Sequence, residues 1–568
     1  MRVVRRPCPP HGEWPDAVPD VLRRIYSARG IACAADAELG LSRLLPPDGL
    51  GQLDRAVRLL ASALAADRHV VVVGDFDCDG ATGTAVAVRG LRLLGARRVS
   101  HQVPNRATHG YGLSPALVAD LVPRAPDLLL TVDSGIACHA GIAAARAQGW
   151  QVLVTDHHLP GERLPDADVI VNPNLAGDGF PSKSLAGVGV VFYLLLALRR
   201  HLREAGAFAG AEPDLSVLLD LVAIGTVADL VTFDHNNRLL VAAGLRRIRQ
   251  GRCQPGVRAL AALAGRPLEH LVAEDIGFGI APRLNAAGRL EDMALGIECL
   301  LTDDPTRAHD LAVVLDGINA QRKERQSDML AQAEAQLPVL DPDQPLPEAL
   351  VMFDAGWHPG IVGLVASRMK DSAHRPALAF APSEPGGAML RGSARSIPGL
   401  HIRDALAAVD ARHPGLIERF GGHAMAAGLS LPHANLPVFR EALLAEVRRV
   451  LDPGLLQAEL ASDGPLAPAQ LCRALAVALR EAGPWGQGFA APVFDNRFRV
   501  REWRVLGERH LKLVLEHEDG GARVPAIHFG GWAGVPPPNR LHAAYQLALD
   551  DYRGREGVQL LVLHWQAA

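Results

Sequence analysis

The chain has 568 residues, of which 49% are apolar and 21% are charged, and its formal net charge is −4. This length exceeds the size at which one hydrophobic core stops growing, so we expect several packed domains. The charge neither favours nor excludes a nucleic-acid substrate, because basic surface can occur locally within a near-neutral sum.

The sequence indicates a protein of the cytoplasm with no membrane contact. Its seven cysteines include no CxxC pair, which argues against a zinc ribbon and a disulfide framework. The N-terminal MRVVRRPCPPHGEWPD is basic but reaches prolines without an apolar segment, so it does not predict a secretory signal. The longest apolar run, Leu185 to Leu198, is about 14 residues against the roughly 20 that span a bilayer, and it predicts a buried helix.

Between about Arg68 and Ala243, short apolar runs alternate with longer helical stretches. The runs are HVVVVGD, DLLLTVD, QVLVTDHH and DVIVNPN. Such runs are typical of strands buried on both faces of a parallel sheet, with helices as crossover connections. Each of the first three runs has an aspartate near its end. Since the carboxyl ends of parallel strands meet at one edge, these acids should converge.

Three further regions follow in chain order. Residues Pro305 to Leu337 are rich in strong helix formers and predict a helix of about 30 residues, about 45 Å long, suited to joining two lobes. ALVMFDA and PALAFAP are strand candidates of a second α/β segment, from about Ala349 to Val450. From about Ala491, the alternation in HLKLVLEH and VQLLVLHW predicts a small β-barrel or sandwich.

The segment GDFDCDG carries three carboxylates at alternate positions, Asp75, Asp77 and Asp79. Oxygen ligands of this kind hold hard divalent cations, and Gly80 lets the backbone turn tightly around them. A calcium-type loop or a solvated acidic turn would have the same pattern, so this segment alone leaves its chemistry open.

Acids and imidazoles also stand at the ends of the next two runs. Asp133 either joins the acidic cluster or caps the following helix, a common role of aspartate. Asp156, His157 and His158 end the third run. Mixed histidine and carboxylate ligands suit manganese or zinc better than calcium, although adjacent histidines are often incidental.

Asp229, within AIGTVADL, is a further acid in an apolar stretch. Four separate segments thus deliver acids or imidazoles to a sheet edge, enough for the roughly six ligands that two neighbouring ions require. We therefore predict a dinuclear metal site, an arrangement suited to hydrolytic phosphoryl transfer.

These motifs resemble those of the DHH phosphoesterase superfamily, named for its Asp-His-His triplet. GDFDCDG, NRATHGYGLS, TVDSG, VTDHH and AIGTVADL stand in the order of the superfamily motifs. IAPRLNAAGRL, LRGSARS, ERFGGHAMAAGLSL and PWGQGFAAPVF are similar to segments of a branch that degrades single-stranded DNA from its 5′ end.

The resemblance implies a set of metal ligands drawn from all four segments: Asp75, Asp77, Asp79, Asp133, His157 and Asp229. It implies a catalytic set at the strand ends: Asp133, Asp156, His157 and His158. Asp133 would bridge the two ions, and His158 would lie near the scissile phosphate. Many relatives carry a histidine four residues before the position of Asp77, where this chain has Val73.

Phosphate contacts require cations or backbone donors, because two metal ions cannot neutralise a polynucleotide. The candidate substrate-binding residues lie within the motifs: Arg106, Tyr111, Arg283, Ser393, Arg395 and His423. Tyr111 could stack on a base or pack in the core. By resemblance, Ser393, Arg395 and His423 form a pocket for the 5′ phosphate.

The resemblance implies an α/β fold in which a parallel-sheet DHH lobe and a second α/β lobe of the DHHA1 type are joined by the long helix. A C-terminal β-rich, OB-like domain follows. The expected division is an N-terminal segment 1–60, a catalytic domain 61–305, a connecting helix 306–345, a substrate-binding domain 346–452 and a single-strand-binding domain 453–568.

The implied activity is that of a single-stranded-DNA-specific 5′-3′ exonuclease in recombination and repair. It would hydrolyse phosphodiester bonds with two divalent ions, Mn²⁺ or Mg²⁺. The expected partners of a monomeric enzyme are single-stranded DNA, a helicase and a single-strand-binding protein. A small-substrate DHH phosphatase or nanoRNase and a non-catalytic replication scaffold are the alternatives; chain length favours a polymer substrate, and the acids favour an enzyme.

Overall fold

The fold is taken from a computed structural model that describes residues 1–10, 12–106, 108–336, 346–521, 523–550 and 556–568. Its strands in chain order are β1 Arg2–Arg5, β2 Val70–Gly74, β3 Val99–Gln102, β4 Leu128–Val132, β5 Gln151–Thr155, β6 Val169–Val171, β7 Leu350–Phe353, β8 Ala377–Pro382, β9 Met389–Arg395, β10 Arg419–Gly422, β11 Ala426–Pro432, β12 Glu459–Ser462, β13 Phe494–Leu506, β14 His510–His517, β15 Arg523–His528, β16 Arg540–Asp550 and β17 Gly557–Ala567.

Its α-helices in chain order are α1 Asp20–Ser27, α2 Ala34–Ala37, α3 Leu53–Ala65, α4 Cys78–Leu93, α5 Pro115–Leu121, α6 His139–Ala147, α7 Gly187–Glu204, α8 Leu219–Ala228, α9 His235–Arg249, α10 Pro255–Leu263, α11 Ala273–Asp275, α12 Ala281–Leu290, α13 Ala294–Leu301, α14 Pro305–Gln336, α15 Val362–Ala373, α16 Ile402–Arg412, α17 Leu436–Val450 and α18 Arg473–Glu481. A π-helical turn, Ile276–Ile280, precedes α12.

The chain forms two compact units. The larger unit comprises Arg5–Asn319 and Ser462–Ala568, and the smaller unit comprises Met1–Val4 and Ala320–Ala461. Helix α14 passes from one to the other, and Leu337, where the sequence predicted its end, lies outside the described residues. Among the helices described, none has both the length and the apolar composition needed to cross a membrane.

The parallel sheet predicted from the apolar runs is confirmed in the larger unit. Its strand order is β3-β2-β4-β5-β6, and neighbouring strands pair in parallel. Alternate residues of β2 face two apolar clusters: Val72 packs with residues of α4 and α7, whereas Val73 packs with residues of α5 and α6. Both faces are thus covered, which explains why the strand sequences are apolar at every position.

The apolar run from Leu185 to Leu198 forms most of α7, and its side chains are largely buried. Its prediction as a buried helix is confirmed.

The C-terminal part of the larger unit is a closed barrel of strand order β13-β14-β15-β17-β16. In β14, Leu511, Leu513 and Leu515 are buried and alternate with more exposed residues. The alternation in HLKLVLEH therefore gave the correct strand, and the predicted OB-like architecture is confirmed.

The smaller unit has its own sheet, of order β10-β11-β9-β8-β7, in which only the β7–β8 pairing among the described strands is parallel. The strand candidates ALVMFDA and PALAFAP correspond to β7 and β8. A separate apolar core, with Phe380, Leu406 and Phe439 at its centre, joins this sheet to α16 and α17. The second α/β lobe is therefore confirmed.

Candidate metal centre

The carboxyl ends of β2, β4 and β5 lie side by side, because Gly74 pairs with Val132 and Val132 pairs with Thr155. The residue that follows each of these strands is an aspartate: Asp75, Asp133 and Asp156. The parallel register thus brings together the acids that the sequence placed at separate strand ends.

The loop after β2 turns directly into α4 and carries the first three acids. Asp77 caps the helix by accepting a hydrogen bond from the Gly80 amide at 3.0 Å. A Cβ atom at Gly80 would lie 2.5 Å from the Asp75 carbonyl oxygen, so this turn requires glycine. Asp75 is buried, and its Oδ1 accepts no hydrogen bond from the described residues.

Asp79 is held by the start of α7. Its Oδ2 accepts from the Gly187 amide at 2.6 Å, and its Oδ1 accepts from the Val188 amide at 3.0 Å. Helix N-termini favour negative charge, so α7 helps to fix this buried carboxylate.

Asp133 occupies the centre of the cluster in a strained conformation. Its φ is 59°, in the left-handed region that residues other than glycine rarely adopt. A Cβ atom at Gly187 would lie only 2.5 Å from the Asp133 Cβ, so α7 approaches very closely here. The next α-helix, α6, begins at His139 with Cys138 at its N-cap. Asp133 therefore does not cap it.

His157 connects three of the carboxylates. Its Nε2 lies 3.0 Å from Asp133 Oδ1, 3.4 Å from Asp229 Oδ2 and 4.0 Å from Asp79 Oδ2. Burial, followed by the charge of His158, lowers the His157 pKa to about 4. The imidazole is therefore neutral at physiological pH and able to offer a lone pair to a metal ion.

Asp156 differs from the other acids because it is surrounded by donors. Its Oδ2 accepts from the Ile136 amide at 2.9 Å. Its Oδ1 accepts from the His157 amide at 2.8 Å, the His158 amide at 3.1 Å and His158 Nδ1 at 2.8 Å. Burial is the largest single influence and opposes ionisation, but the hydrogen bond and charge of His158, the Ile136 amide and the charge of His157 together outweigh it, so the Asp156 pKa is lowered.

His158 is fixed by the same contact. Burial disfavours its charged form, but the hydrogen bond to Asp156 and the surrounding carboxylates raise its pKa to about 9. The bond engages Nδ1, which is a donor in the protonated imidazole.

The remaining carboxylates repel one another. Burial raises the pKa of Asp75, Asp79, Asp133 and Asp229, and the neighbouring acids raise it further. For Asp79 the pKa reaches about 7. Divalent cations relieve such repulsion, and the unpaired oxygen of Asp75 is a further candidate ligand atom for such a cation.

The described part of the chain contains three sets of potential ligand residues, and within each set the ligand atoms lie within 4.8 Å of one another. They are Asp75 with Asp77 and Asp133, Asp79 with His157 and Asp229, and Asp133 with His157 and His158. Asp133 and His157 each belong to two sets, as expected where neighbouring ions share ligands. The donor chemistry therefore fits two divalent ions.

Position 73 supplies no ligand. Val73 is fully buried in the apolar cluster with Leu129 and Val154. At the position where many relatives have a histidine, this chain has a valine that packs in the core. Asp75, two residues later, has an oxygen without a hydrogen-bond partner among the described residues and is the nearby candidate ligand.

Three asparagines that the sequence did not single out form hydrogen bonds with the backbone of the loops that carry the candidate ligands. Asn172 Nδ2 donates to the His158 carbonyl at 2.8 Å, and Asn174 Nδ2 donates to the His157 carbonyl at 2.6 Å. Asn285 Oδ1 accepts from the Cys78 amide at 2.9 Å. Asn172 and Asn174 directly follow β6 in VNPN, the position at which the neighbouring strands carry aspartates, and this was the available signal.

Arg106 and Tyr111 flank the cluster. The Arg106 guanidinium stands 4.2 Å from the ring centre of Phe76. The Tyr111 ring meets His158 edge-on at 6.1 Å, and its hydroxyl donates to the Asp133 carbonyl at 3.3 Å. Tyr111 is 46% exposed, so it is not a core residue.

Arg283 is instead engaged in the interior. Its Nη1 donates to the Gly279 carbonyl at 2.6 Å and its Nη2 to the Leu263 carbonyl at 3.1 Å. Its Nη2 also pairs with Asp316 at 2.8 Å. These contacts support a structural role, in which Arg283 stabilises the π-helical turn before α12.

The smaller unit brings together Ser393, Arg395 and His423. Arg395 Nη1 donates to Ser393 Oγ at 2.9 Å along β9. Ala426 pairs with Arg395 across the sheet and accepts from the His423 amide at 2.8 Å. Ser393 and Arg395 are half-buried, His423 is exposed, and all three lie on or next to neighbouring strands of this sheet.

Comparison with known proteins agrees with this arrangement. Family models match the DHH family N-terminal domain at residues 69–226, the DHHA1 domain at residues 347–449 and the RecJ OB domain at residues 462–564.

Among curated proteins, the chain is similar to the single-stranded-DNA-specific exonuclease RecJ of Dickeya dadantii, with 49% identity over 97% of each chain. It is 46% identical to the protein of that name from Escherichia coli, over 99% of this chain and 98% of the relative. Among solved structures, the Thermus thermophilus RecJ complex with Mn²⁺ has a TM-score of 0.80 at 32% identity, covering 96% of this chain and 76% of that one.

Proposed function

The chain belongs to the RecJ family, and from that premise we propose that it is a single-stranded-DNA-specific exonuclease that removes nucleotides from the 5′ end. The observation that carries the proposal is the convergence of Asp75, Asp77, Asp79, Asp133 and Asp229 with His157 at one sheet edge. Curated relatives that bear the exonuclease name cover nearly the whole chain.

We assign Asp75, Asp77, Asp79, Asp133, His157 and Asp229 as the ligands of two divalent ions, Mn²⁺ or Mg²⁺. Such a pair supplies water activation and charge neutralisation at a phosphodiester. The strained backbone of Asp133 places its carboxylate within reach of both ligand sets. Asp79 is held by two amides and His157 is kept neutral, so these ligands are positioned before any ion binds.

His158 acts on the substrate rather than on the ions in this proposal. Because its pKa is raised to about 9, it carries a proton at neutral pH. Asp156 orients the ring through Nδ1, and the protonated imidazole beside the ligand sets would stabilise the charge that develops on the scissile phosphate. Asp156 is then a positioning residue.

Substrate contacts are proposed at two places. Arg106 and Tyr111, beside the metal centre, would bind a phosphate and a base of the strand. In the smaller unit, Ser393, Arg395 and His423 would bind the 5′ phosphate, because an arginine beside a hydroxyl and an exposed imidazole suits that group. Arg283 remains a predicted substrate contact, but we rank it below these residues because its Nη1 and Nη2 atoms already serve interior carbonyls and Asp316.

We further propose that the enzyme acts in the cytoplasm as a monomer. A helicase and a single-strand-binding protein would supply and protect its substrate in recombination and repair. The single-strand specificity in the names of the relatives supports the helicase as a partner, because duplex DNA must be opened before such an enzyme can act.

The test is digestion of a 3′-labelled, 5′-phosphorylated single-stranded oligonucleotide with Mn²⁺ or Mg²⁺. We expect labelled products that shorten progressively from the 5′ end, and an intact duplex control. Immediate release of labelled mononucleotide would instead show cleavage from the 3′ end and contradict the proposal.

The matched variant for this assay is Asp133→Asn. Asparagine tolerates the left-handed conformation, so the substitution removes the charge and leaves the backbone in place. We expect at least a roughly 1000-fold loss of rate, since this carboxylate belongs to two of the candidate ligand sets and would help to hold both ions. Phosphate release from a dinucleotide without oligonucleotide cleavage would favour the small-substrate alternative, and inactivity on all substrates the scaffold alternative.

A further inference from the structure

A tight turn directly before the barrel lies against the segment that follows Asp229. The turn comprises residues Trp485 to Phe489 and is called here the 485–489 turn. Gly486 and Phe489 exchange two backbone hydrogen bonds, of 2.9 and 3.1 Å. Gly488 adopts a φ of 74°, which glycine accommodates without strain.

The contact between this turn and the Asp229 segment is close and specific. The Phe233 amide donates to the Gln487 carbonyl at 2.7 Å. A Cβ atom at Gly486 would lie 2.7 Å from the Phe233 ring, and one at Gly488 would lie 2.7 Å from Thr232 Cγ2. Glycine at both positions therefore allows the two backbones to approach.

The 485–489 turn is fixed from its other side by stacked aromatic and cationic groups. Trp485 stacks on Phe489 at 5.1 Å, and the Arg238 guanidinium lies 3.8 Å from the centre of the Phe489 ring. From the N-terminal part of the chain, Tyr26 stacks on Trp485 at 6.3 Å, and Arg29 Nε donates to the Ala490 carbonyl at 2.8 Å. The turn is therefore held by aromatic and cationic contacts on this side as well.

The segment between α8 and α9 is anchored at its far end as well. Asp234 accepts from the Asn237 amide at 2.8 Å and from Ser182 Oγ at 2.6 Å. Asn237 Nδ2 also donates to the Thr232 carbonyl at 2.9 Å. Only Leu230 and Val231 separate these anchored residues from Asp229.

Asp229 depends on its backbone more than Asp79 and Asp156 do. Asp79 and Asp156 are held by amides that donate to their carboxylates, whereas the Asp229 carboxylate meets His157 Nε2 at 3.4 Å. Asp229 ends α8, and Leu230 after it adopts a φ of 59°. The path of the following segment therefore determines where this carboxylate lies.

We propose that the 485–489 turn is a positioning element for Asp229, and that it sets the affinity of the metal centre through Phe233. This inference rests on the proposed function, because it takes Asp229 to be a metal ligand. It gives the turn, its stacked N-terminal partners and the chain leading into the barrel a shared role in metal binding.

The test is Gly486→Ala in the full-length chain. Gly486 has no positive φ, so the added Cβ tests the contact with Phe233 and not backbone strain. Titration with Mn²⁺, followed by electron paramagnetic resonance of the free ion, should show binding weakened by about tenfold, the effect typical of displaced supporting groups. The Mn²⁺ concentration for half-maximal nuclease rate should rise equally, with kcat at saturating Mn²⁺ within about twofold of wild type.

Two further variants complete the test. Gly210→Ala is the matched control, because a Cβ there meets no atom within 4 Å, and it should bind Mn²⁺ as the wild type does. Adding Phe233→Leu to Gly486→Ala makes room for the methyl group and should restore most of the lost affinity. Phe233→Leu alone should weaken Mn²⁺ binding about twofold, and it replaces Gly486→Ala if that variant does not fold.

Unchanged Mn²⁺ affinity in Gly486→Ala, or in Phe233→Leu if the former does not fold, would overturn the inference. So would a loss of stability and rate with Mn²⁺ affinity intact, since the turn would then be structural only. A wild-type protein that binds Mn²⁺ without cutting DNA would refute the proposed exonuclease, and the Mn²⁺ comparison would still test the positioning role.

Discussion

Asp156 and Asp79 are both buried at the same sheet edge and both accept backbone amides, yet their pKa values shift in opposite directions. Asp156 accepts four hydrogen bonds from nitrogen donors, and its pKa is lowered. Asp79 lies among carboxylates, and its pKa is raised to about 7. Residue type and burial are therefore the same for the proposed positioning carboxylate and for the proposed metal ligand, and the neighbouring charges distinguish them.

Asp156→Asn should lower kcat by about 10–100-fold, the usual effect of removing a supporting carboxylate. The Asp156 carboxylate keeps His158 protonated, so its loss should lower the His158 pKa and move the alkaline limb of the pH–rate profile to lower pH. Single-turnover cleavage rates measured from pH 6 to pH 10, about the range over which His158 titrates, check this.

Asp168→Asn is the matched control for that experiment. Asp168 also accepts a backbone amide, that of Val152 at 2.8 Å, but at the opposite end of β5. Its substitution should leave the pH profile unchanged. An Asp156→Asn variant with the wild-type alkaline limb would contradict the role given to His158.

At the residue scale the sequence predicted the acids of the site better than the side chains that hold their loops in place. The strand-end acids were predictable because period and strand order bring them to one edge. Asn172, Asn174 and Asn285 were not, since their roles depend on contacts with carbonyls and amides distant in sequence. For the same reason the sequence could not predict that Arg283, a candidate phosphate ligand, donates from Nη1 and Nη2 to interior carbonyls.

At the scale of elements, helix α12 supports the first ligand loop through a glycine. A Cβ atom at Gly288 would lie 1.8 Å from the Phe76 carbonyl oxygen, which is backbone and cannot move aside. Phe76 stands between Asp75 and Asp77, so displacement of α12 should displace both acids.

Gly288→Ala should therefore destabilise the chain by about 1–3 kcal/mol, the cost of overpacking, and should raise the Mn²⁺ concentration for half-maximal activity.

Gly317→Ala is the matched control and should stabilise the chain, because Gly317 lies in α14 with no atom within 4 Å of an added Cβ. It should gain about 0.5–1 kcal/mol from helix propensity and leave Mn²⁺ dependence unchanged. Thermal unfolding and Mn²⁺ titration of both variants check these expectations, and shifts of the same sign would contradict them.

Elements were predictable where burial is complete. Strands β2, β4 and β5 have apolar runs because both faces of the sheet are covered, whereas β3, with the sequence VSHQ, is half-buried at the sheet edge and has no such run. The sheet of the smaller unit was predicted only through β7 and β8. Its strand β10, with the sequence RFGG, is largely exposed and carries no alternation that would predict a strand.

At the scale of the whole molecule, the two units have separate apolar cores, and all the proposed metal ligands lie in the larger one. An ion that binds only the folded state stabilises it by mass action, by about 2.7 kcal/mol at 100 times its dissociation constant. Mn²⁺ should therefore stabilise the larger unit selectively. Without Mn²⁺, the raised carboxylate pKa values should make the stability of that unit fall with rising pH.

The sign follows from Asp79, whose pKa rises from its ordinary 3.8 to about 7 in the folded protein. Its ionisation costs the folded state nothing below about pH 4 and progressively more up to about pH 7, above which the penalty is constant. The pKa values of Asp75, Asp133 and Asp229 shift in the same direction.

Calorimetry of the full chain in EDTA should accordingly show that the Tm of the larger unit falls between pH 5 and pH 8. Mn²⁺ should raise that Tm most at pH 8, where the carboxylates are ionised. Hydrogen exchange at pH 8 should place the Mn²⁺-dependent protection in peptides of residues 69–86 and 128–160 and not in residues 346–449. Asp133→Asn removes one of the repelling charges and should weaken both effects, so an equal response of that variant, or a Tm independent of pH, would contradict a metal centre built from these carboxylates.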